Sequence, residues 1–263
     1  MFRRTNHSQQ PRQRNIILRS IGQSIILRFS RDRSSCRLLS SMRMTLAVFS
    51  LLLAGSTMAD TPPEGIPREL ARQRAAQLSD LRYQLRFTLA PHATSTSGHE
   101  ELTFHSNSVA AVLLDFREGT VTTLSVNGKP IPAKIENGHI ELPAGAVHSG
   151  ENTLSIDFTA PVATAGKAIT RFEDKDDNTE YLYTLFVPMD AEMAFPCFDQ
   201  PDLKGRFRLE LTAPENWTVI SNTPIDSQSG SASGQRVTTF LETRPISTYL
   251  FAFAAGPFRR VHD

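Results

Sequence analysis

From Asp80 onward the sequence alternates with a period of two, and that alternation limits the chain's fold more than any other feature. Leu81, Tyr83, Leu85, Phe87 and Leu89 are apolar, while Arg82, Gln84, Arg86 and Thr88 between them are polar. On a pleated strand one set faces a core and the other faces water; no helix sorts them that way. Further short runs of strand character follow at Glu101–His105, Ala111–Phe116, Val121–Val126, Ile131–Ile135, His139–Leu142 and Thr153–Phe158. More lie at Tyr181–Val187, Gly205–Thr212, Trp217–Ser221, Arg236–Leu241 and Thr248–Ala254. Asn127-Gly128 and Asn137-Gly138 supply the positive φ angles of tight hairpins. Many short strands without helices between them predict an all-β fold, an antiparallel β-sandwich or saddle.

One helical stretch stands ahead of this array. Arg68 to Leu78 (RELARQRAAQL) is built of good helix formers, follows Pro67, and spaces Leu70, Arg74 and Leu78 four apart. A helix so short is marginal alone and is expected to pack at an edge. Residues 60–67, with three prolines, read as a linker and 68–260 as the β domain. The stretch Asp226 to Gln235 reads as a flexible hairpin loop, and Glu173 to Asn178 as a solvated acidic loop. No fixed-period repeat is present, and the end of the chain just after a strand reads as a domain boundary.

The net charge of +1 conceals a segregation of charge. Of the 28 basic and 27 acidic residues, 10 arginines and Asp32 precede Met44, so the chain from Asp60 on carries 18 and 26 and a net charge of −8. An acidic body disfavours nucleic acid and anionic membranes, which need clustered Lys and Arg. The basic head precedes an apolar run, Thr45 to Gly55, that ends in Ser56-Thr57-Met58-Ala59. This has the length and cleavage-site chemistry of a signal peptide over 42–59, too short to span a bilayer that needs about 20 apolar residues. Export to a periplasmic or extracellular location is expected, with 1–41 a non-native or unstructured extension ahead of a start at Met42 or Met44. The competing reading is an Arg/Ser-rich organellar transit peptide. Ser56 stands where a lipoprotein would carry its modified Cys, so no lipid anchor is expected. Cys36 falls in the presumed discarded segment, which leaves Cys197 alone and the fold dependent on its core.

The usual catalytic constellations are missing. A zinc hydrolase is announced by two histidines four apart with a glutamate after the first. His99-Glu100-Glu101-Leu102-Thr103 comes nearest, yet it ends in Thr103 and alternates like a strand. His92, His139, His148 and His262 are scattered singly, and no Gly-x-Ser-x-Gly elbow exists. Cys197, between Pro196 and Phe198, reads as an inert buried thiol. The run Asp174-Lys175-Asp176-Asp177-Asn178 lacks the spacing and glycine of a calcium loop. No catalytic residue and no metal ligand is therefore assigned.

The informative segment runs from Tyr181 to Phe207, where Pro188, Pro196 and Pro201 forbid both a long helix and a central strand. A strand passing through a rigid irregular stretch into a second strand satisfies that pattern. Asp199 is expected to tie down backbone N–H groups in a turn.

Within it, Phe195-Pro196-Cys197-Phe198-Asp199-Gln200-Pro201-Asp202-Leu203-Lys204 closely resembles the Phe-Pro-Cys-Phe-Asp-Glu/Gln-Pro-x-x-Lys signature of aminopeptidase N-like zinc aminopeptidases, gluzincins that carry it in an amino-terminal β domain. Trp217 to Pro224, Thr248 to Phe258, and Arg68 to Tyr83 are similar to flanking segments of that domain, so the resemblance spans about residues 68–258. It marks Phe195, Pro196, Cys197, Phe198, Asp199, Pro201 and Lys204 as structural. The family's zinc, its His-Glu-x-x-His helix and its Gly-x-Met-Glu-Asn strand belong to a downstream thermolysin-like domain, and neither motif occurs in these 263 residues. The β domain of such enzymes lends a Gln and a Glu from a Thr-Gln-x-Glu-Pro stretch to the pocket for the substrate's amino terminus. Here the matching stretch is Thr184-Leu185-Phe186-Val187-Pro188, with Leu185 and Val187 in those two places.

The resemblance implies a non-catalytic cap of an exported zinc aminopeptidase acting on peptides, with the catalytic domain as partner, no cofactor of its own, no nucleic acid and no stable membrane anchor. The alternative is a stand-alone secreted β-sandwich binding module. Nucleotide sequence beyond Asp263 separates the two: a continuing frame with both zinc-domain motifs supports the cap, and a stop codon the module.

Overall fold

The computed structural model describes residues 61–259 except 177, 231 and 232, together with the backbone of two strands near the amino terminus. The chain divides into two units, Met1–Ala59 and Asp60–Asp263. In the first, β1 (Ile16–Ser20) pairs antiparallel with β2 (Gln23–Leu27). The expected signal peptide at 42–59 lies outside the described residues.

The second unit opens with α1 (Arg68–Gln77), whose first turn follows Pro67 and whose last residue passes directly into β3 (Leu78–Thr88). The helix is anchored through polar side chains. Arg74 and Gln77 are its buried residues, whereas Leu70 is only half-buried. The strands that follow are β4 (Ser95–Ser106), β5 (Val112–Asp115), β6 (Thr120–Val126), β7 (Lys129–Pro130), β8 (Ile135–Glu136) and β9 (His139–Leu142). Then come β10 (Gly150–Ala163), β11 (Ile169–Glu173), β12 (Glu180–Thr184), β13 (Gly205–Pro214), β14 (Thr218–Ser221), β15 (Ile225–Gly230), β16 (Gln235–Phe240) and β17 (Phe253–Gly256).

The main sheet has the order β14-β17-β12-β11-β10-β4-β3-β13-β16-β15, with β6 and β7 attached at β10, and a smaller sheet has the order β5-β9-β8. The mostly-β expectation holds, but the antiparallel one is corrected, because the sheet is mixed. β13 runs parallel to β3 from Gly205↔Leu81 to Thr212↔Thr88, and β11 parallel to β10 at Val162↔Ile169 and Ala163↔Thr170. Parallel neighbours require a crossover. For β3 and β13 the whole chain from β4 to β12 supplies it, so no helix is needed.

The strands are also not uniformly short. β10, β4 and β3 have 14, 12 and 11 residues. Ile131–Ile135 forms no continuous strand, since Pro132 has no N–H to give a ladder. Asp226 to Gln235 is not simply a loop, because Ile225–Gly230 pairs with β16. Thr248–Leu250 is a 3-10 turn ahead of β17. The two Asn-Gly turns do close hairpins, with Asn127 and Asn137 at φ 52° and 51°.

The core is aromatic. Tyr83 stacks on Phe207 at 4.7 Å and Phe207 on Phe251 at 4.8 Å, while the Phe195 ring meets Phe251 edge-on at 5.7 Å. Three parts of the fold and the signature stretch are thereby joined through one cluster of rings, each contact worth about 0.5–1.5 kcal/mol beyond its buried area.

Candidate functional site

The signature stretch is built as a closed structural knot. Every residue from 191 to 200 is buried, although the stretch carries Glu192, Asp199 and Gln200. Their backbone groups find partners off the regular ladders. Cys197 N–H donates to the Asp115 carbonyl at 2.9 Å and Asp115 N–H to the Cys197 carbonyl at 2.8 Å, which pins the stretch to the end of β5. Phe198 N–H donates to the Tyr83 hydroxyl at 3.2 Å.

Asp115 is the hub. Its carboxylate accepts from Arg74 Nη1 at 2.8 Å and Nη2 at 2.5 Å, and from Asp199 N–H at 2.9 Å. His139 Nδ1 lies 2.7 Å from it, and His139 Nε2 lies 2.9 Å from the Gly65 carbonyl. Burial works against a charged imidazole, but the Asp115 carboxylate and the Gly65 carbonyl together hold His139 above its ordinary 6.5. One buried carboxylate thus unites α1, β5, β9 and the signature stretch.

Asp199 and Glu192 extend the knot. Asp199 accepts from Glu192 N–H at 3.2 Å and from the Thr248 hydroxyl at 2.5 Å, with burial pushing its pKa up. Glu192 accepts from Arg117 Nε at 2.5 Å, and Arg117 Nη2 reaches Asp190 at 2.5 Å. Burial, aided by the charge of Asp115, outweighs Arg117 and pushes Glu192 up to about 7. Cys197 is fully buried and free, and burial raises its thiol well above the ordinary range, which removes the thiolate a nucleophile needs. Of the other signature residues, Phe195, Pro196 and Phe198 are buried, and Pro201 and Lys204 are exposed.

Leu185 and Val187 lie elsewhere, beyond the end of β12, with 57% of each exposed. Tyr183, Leu185 and Val187 succeed one another at every second residue and share exposure, whereas Leu182 and Phe186 turn into the core. Tyr183, Ala254 and Ile220 are in register across β12, β17 and β14, and behind them Leu182, Ala255 and Val219 form the buried row. The sheet end is therefore apolar on both faces with one face uncovered. A shallow cavity of about 270 Å³ opens there, lined by Tyr183, Thr184, Ile220, Ser221, Ala252 and Ala254 among others. It holds no carboxylate and no cation.

Sequence reasoning missed Arg74, Asp115, His139, Glu192 and Thr248 as partners, and Tyr183 and Ile220 as companions of Leu185. A signal existed for Asp115, a lone acid closing the apolar run Val112-Leu113-Leu114. Among the described residues no three His, Cys, Asp or Glu side chains are placed to hold a metal ion.

Residues 79–250 match the family model described as the peptidase M1 N-terminal domain. Aminopeptidase N of Streptomyces lividans is 33% identical over 215 residues, covering 77% of this chain and 23% of that protein. Leucyl aminopeptidase of Saccharolobus solfataricus is 27% identical, covering 69% of this chain and 22% of its own length. Aminopeptidase 2, mitochondrial, of Saccharomyces cerevisiae is 36% identical over 127 residues, which is 46% of this chain and 13% of that protein. The chain spans less than a quarter of the length of these relatives.

Proposed function

The chain belongs to the peptidase M1 N-terminal domain family, and from that premise we propose that it is the non-catalytic cap of an exported zinc aminopeptidase. The single observation that carries this reading is the uncovered apolar face of Tyr183 and Ile220, with Leu185 and Val187 exposed just beyond β12, opposite an equally apolar buried row. A sheet end apolar on both sides is built to be covered. Its partner is a thermolysin-like catalytic domain that supplies the zinc and the water it activates. Peptides are cleaved at their amino termini between the two.

Leu185 and Val187 give the cap's side of the substrate pocket an apolar character. An ammonium group leaving water needs a carboxylate or an aligned dipole, and neither side chain offers one. Recognition of the substrate's amine therefore falls to the catalytic domain, and this face shapes the pocket for an apolar side chain.

The test is to purify the 263-residue chain, supply zinc, and assay an aminoacyl-anilide substrate. No turnover and no stoichiometric zinc are expected; peptidase turnover with tightly held metal would overturn the reading. The signal-like run at 45–55 supports export, which fractionation of cells expressing the full chain tests directly.

A further inference from the structure

Glu100 occupies a place where a charged residue has no physical support. It lies on β4 at the middle of the main sheet, in register with Leu85 of β3 on one side and Ile156 of β10 on the other. Both neighbours are buried, Glu100 itself is 0% exposed, and neither of its carboxyl oxygens has a hydrogen-bond partner. It is not part of a metal site, since the His-Glu run that contains it ends at Thr103 and no metal cluster includes it among the described residues.

An isolated carboxylate in an apolar interior is so costly that the group takes a proton instead. The neighbours provide no relief. Of the titratable groups that interact with it, Tyr83 comes from β3 and Cys197 from the signature stretch, and both are neutral in their ordinary forms. From β10, Leu154, Ile156 and Phe158 face the same core and carry no charge. On β4 itself, Leu102 and Phe104 share its face. Across β5, Asp115 is an acid, and its cation Arg74 is already held by Asp115 and the Leu113 carbonyl. Among the described residues, none of these elements offers a cation to compensate a Glu100 charge.

We propose that Glu100 is an internal proton-binding site, a carboxyl group that folds only in its neutral form and so ties the stability of the β3–β4–β10 centre to pH. Burial alone holds its pKa well above the ordinary 4.5. The folded state then binds a proton that the unfolded chain releases above that value. Stability from this group is complete below 4.5 and is lost as pH rises toward the folded pKa, with the folding equilibrium constant falling by up to about tenfold per pH unit. The proposal is independent of the cap assignment, because Glu100 belongs to the core and not to the uncovered face.

Urea unfolding of the full chain from pH 5 to pH 9, compared with Glu100→Gln, tests it. Glutamine keeps the shape and is neutral throughout. Other acids with raised pKa, Glu192 and Asp199, act equally in both proteins and cancel in the difference. The expected result is that Glu100→Gln gains on the wild type progressively as pH rises. Infrared spectra of the folded wild type above pH 4.5, where an ordinary glutamate is ionised, should retain a protonated-carboxyl C=O band that Glu100→Gln lacks. Should the glutamine variant not fold, Glu100→Leu serves in both measurements. Parallel stability curves, or the absence of any protonated-carboxyl band that distinguishes the folded wild type from the variant above pH 4.5, would overturn the proposal.

Discussion

Asp115 gathers Arg74, His139 and the Asp199 amide at one buried carboxylate. Removing one partner of a buried pair leaves the other charge unanswered, which costs about 3–5 kcal/mol. Asp115→Leu is therefore expected to lower stability by about that amount in urea unfolding, and adding Arg74→Met should recover a substantial part of it. A double variant no better than the single one would show that the stranded Arg74 charge is not what makes the loss of Asp115 costly. Glu192 makes a prediction of different form. Its carboxyl is raised from 4.5 to about 7, so the folded state holds its proton more tightly than the unfolded chain does. The associated stability is present below 4.5 and is lost as pH rises through about 7. Glu192→Gln keeps a hydrogen-bond acceptor for Arg117 and should lessen the slope of the chain's stability curve between those limits, the remaining slope belonging to Glu100 and Asp199. Thermal unfolding at half-unit pH steps measures it, and an unchanged slope would refute the assignment.

At the scale of elements, packing across the sheet explains one residue that alternation does not. Gly98 sits on β4 where a Cβ would lie 2.3 Å from the end of the Phe158 ring, so the strand gives up a side chain there to admit the ring. Gly98→Ala should cost about 1–3 kcal/mol from overpacking, and less than that when combined with Phe158→Leu; a double-mutant cycle by chemical unfolding reads the coupling. The same contrast explains what the sequence revealed. β3 and the Asn-Gly hairpins were legible because period-two alternation and positive-φ turns are local. β15 was not, because all of its residues are exposed and an edge strand without a buried face shows no alternation. The parallel pairing of β3 and β13 lies beyond any local pattern, since Leu81 and Gly205 meet only through the global topology. The site divides in the same way. The contiguous signature was readable, whereas the partners of Asp115 lie 24, 41 and 84 residues away in sequence and only folding brings them together.

For the whole molecule, the decisive property is the uncovered apolar sheet end. Tyr183 and Ile220 flank Ala254 in register, Leu185 and Val187 follow just beyond β12, and all four are 40 to 57% exposed; monomeric proteins rarely leave contiguous apolar patches of more than a few hundred Å² in water. The exposure is compounded by topology. β14 ends the sheet order, so its outer edge presents backbone donors and acceptors beside the same patch. Apolar area and an open edge together favour association of the chain with itself whenever nothing covers them. The 263-residue chain is accordingly expected to self-associate with rising concentration in light scattering. Leu185→Lys combined with Ile220→Lys should return it to a monomer without lowering its melting temperature, because both side chains are already more than half exposed and contribute little to the core. The two lysines act only through solvation and like-charge repulsion at the patch, so a loss of melting temperature would mean that the residues support the fold. A wild-type chain that stays monodisperse at high concentration would show that the patch is too small to drive association, and would remove the physical basis for reading this face as one shaped to meet a second domain.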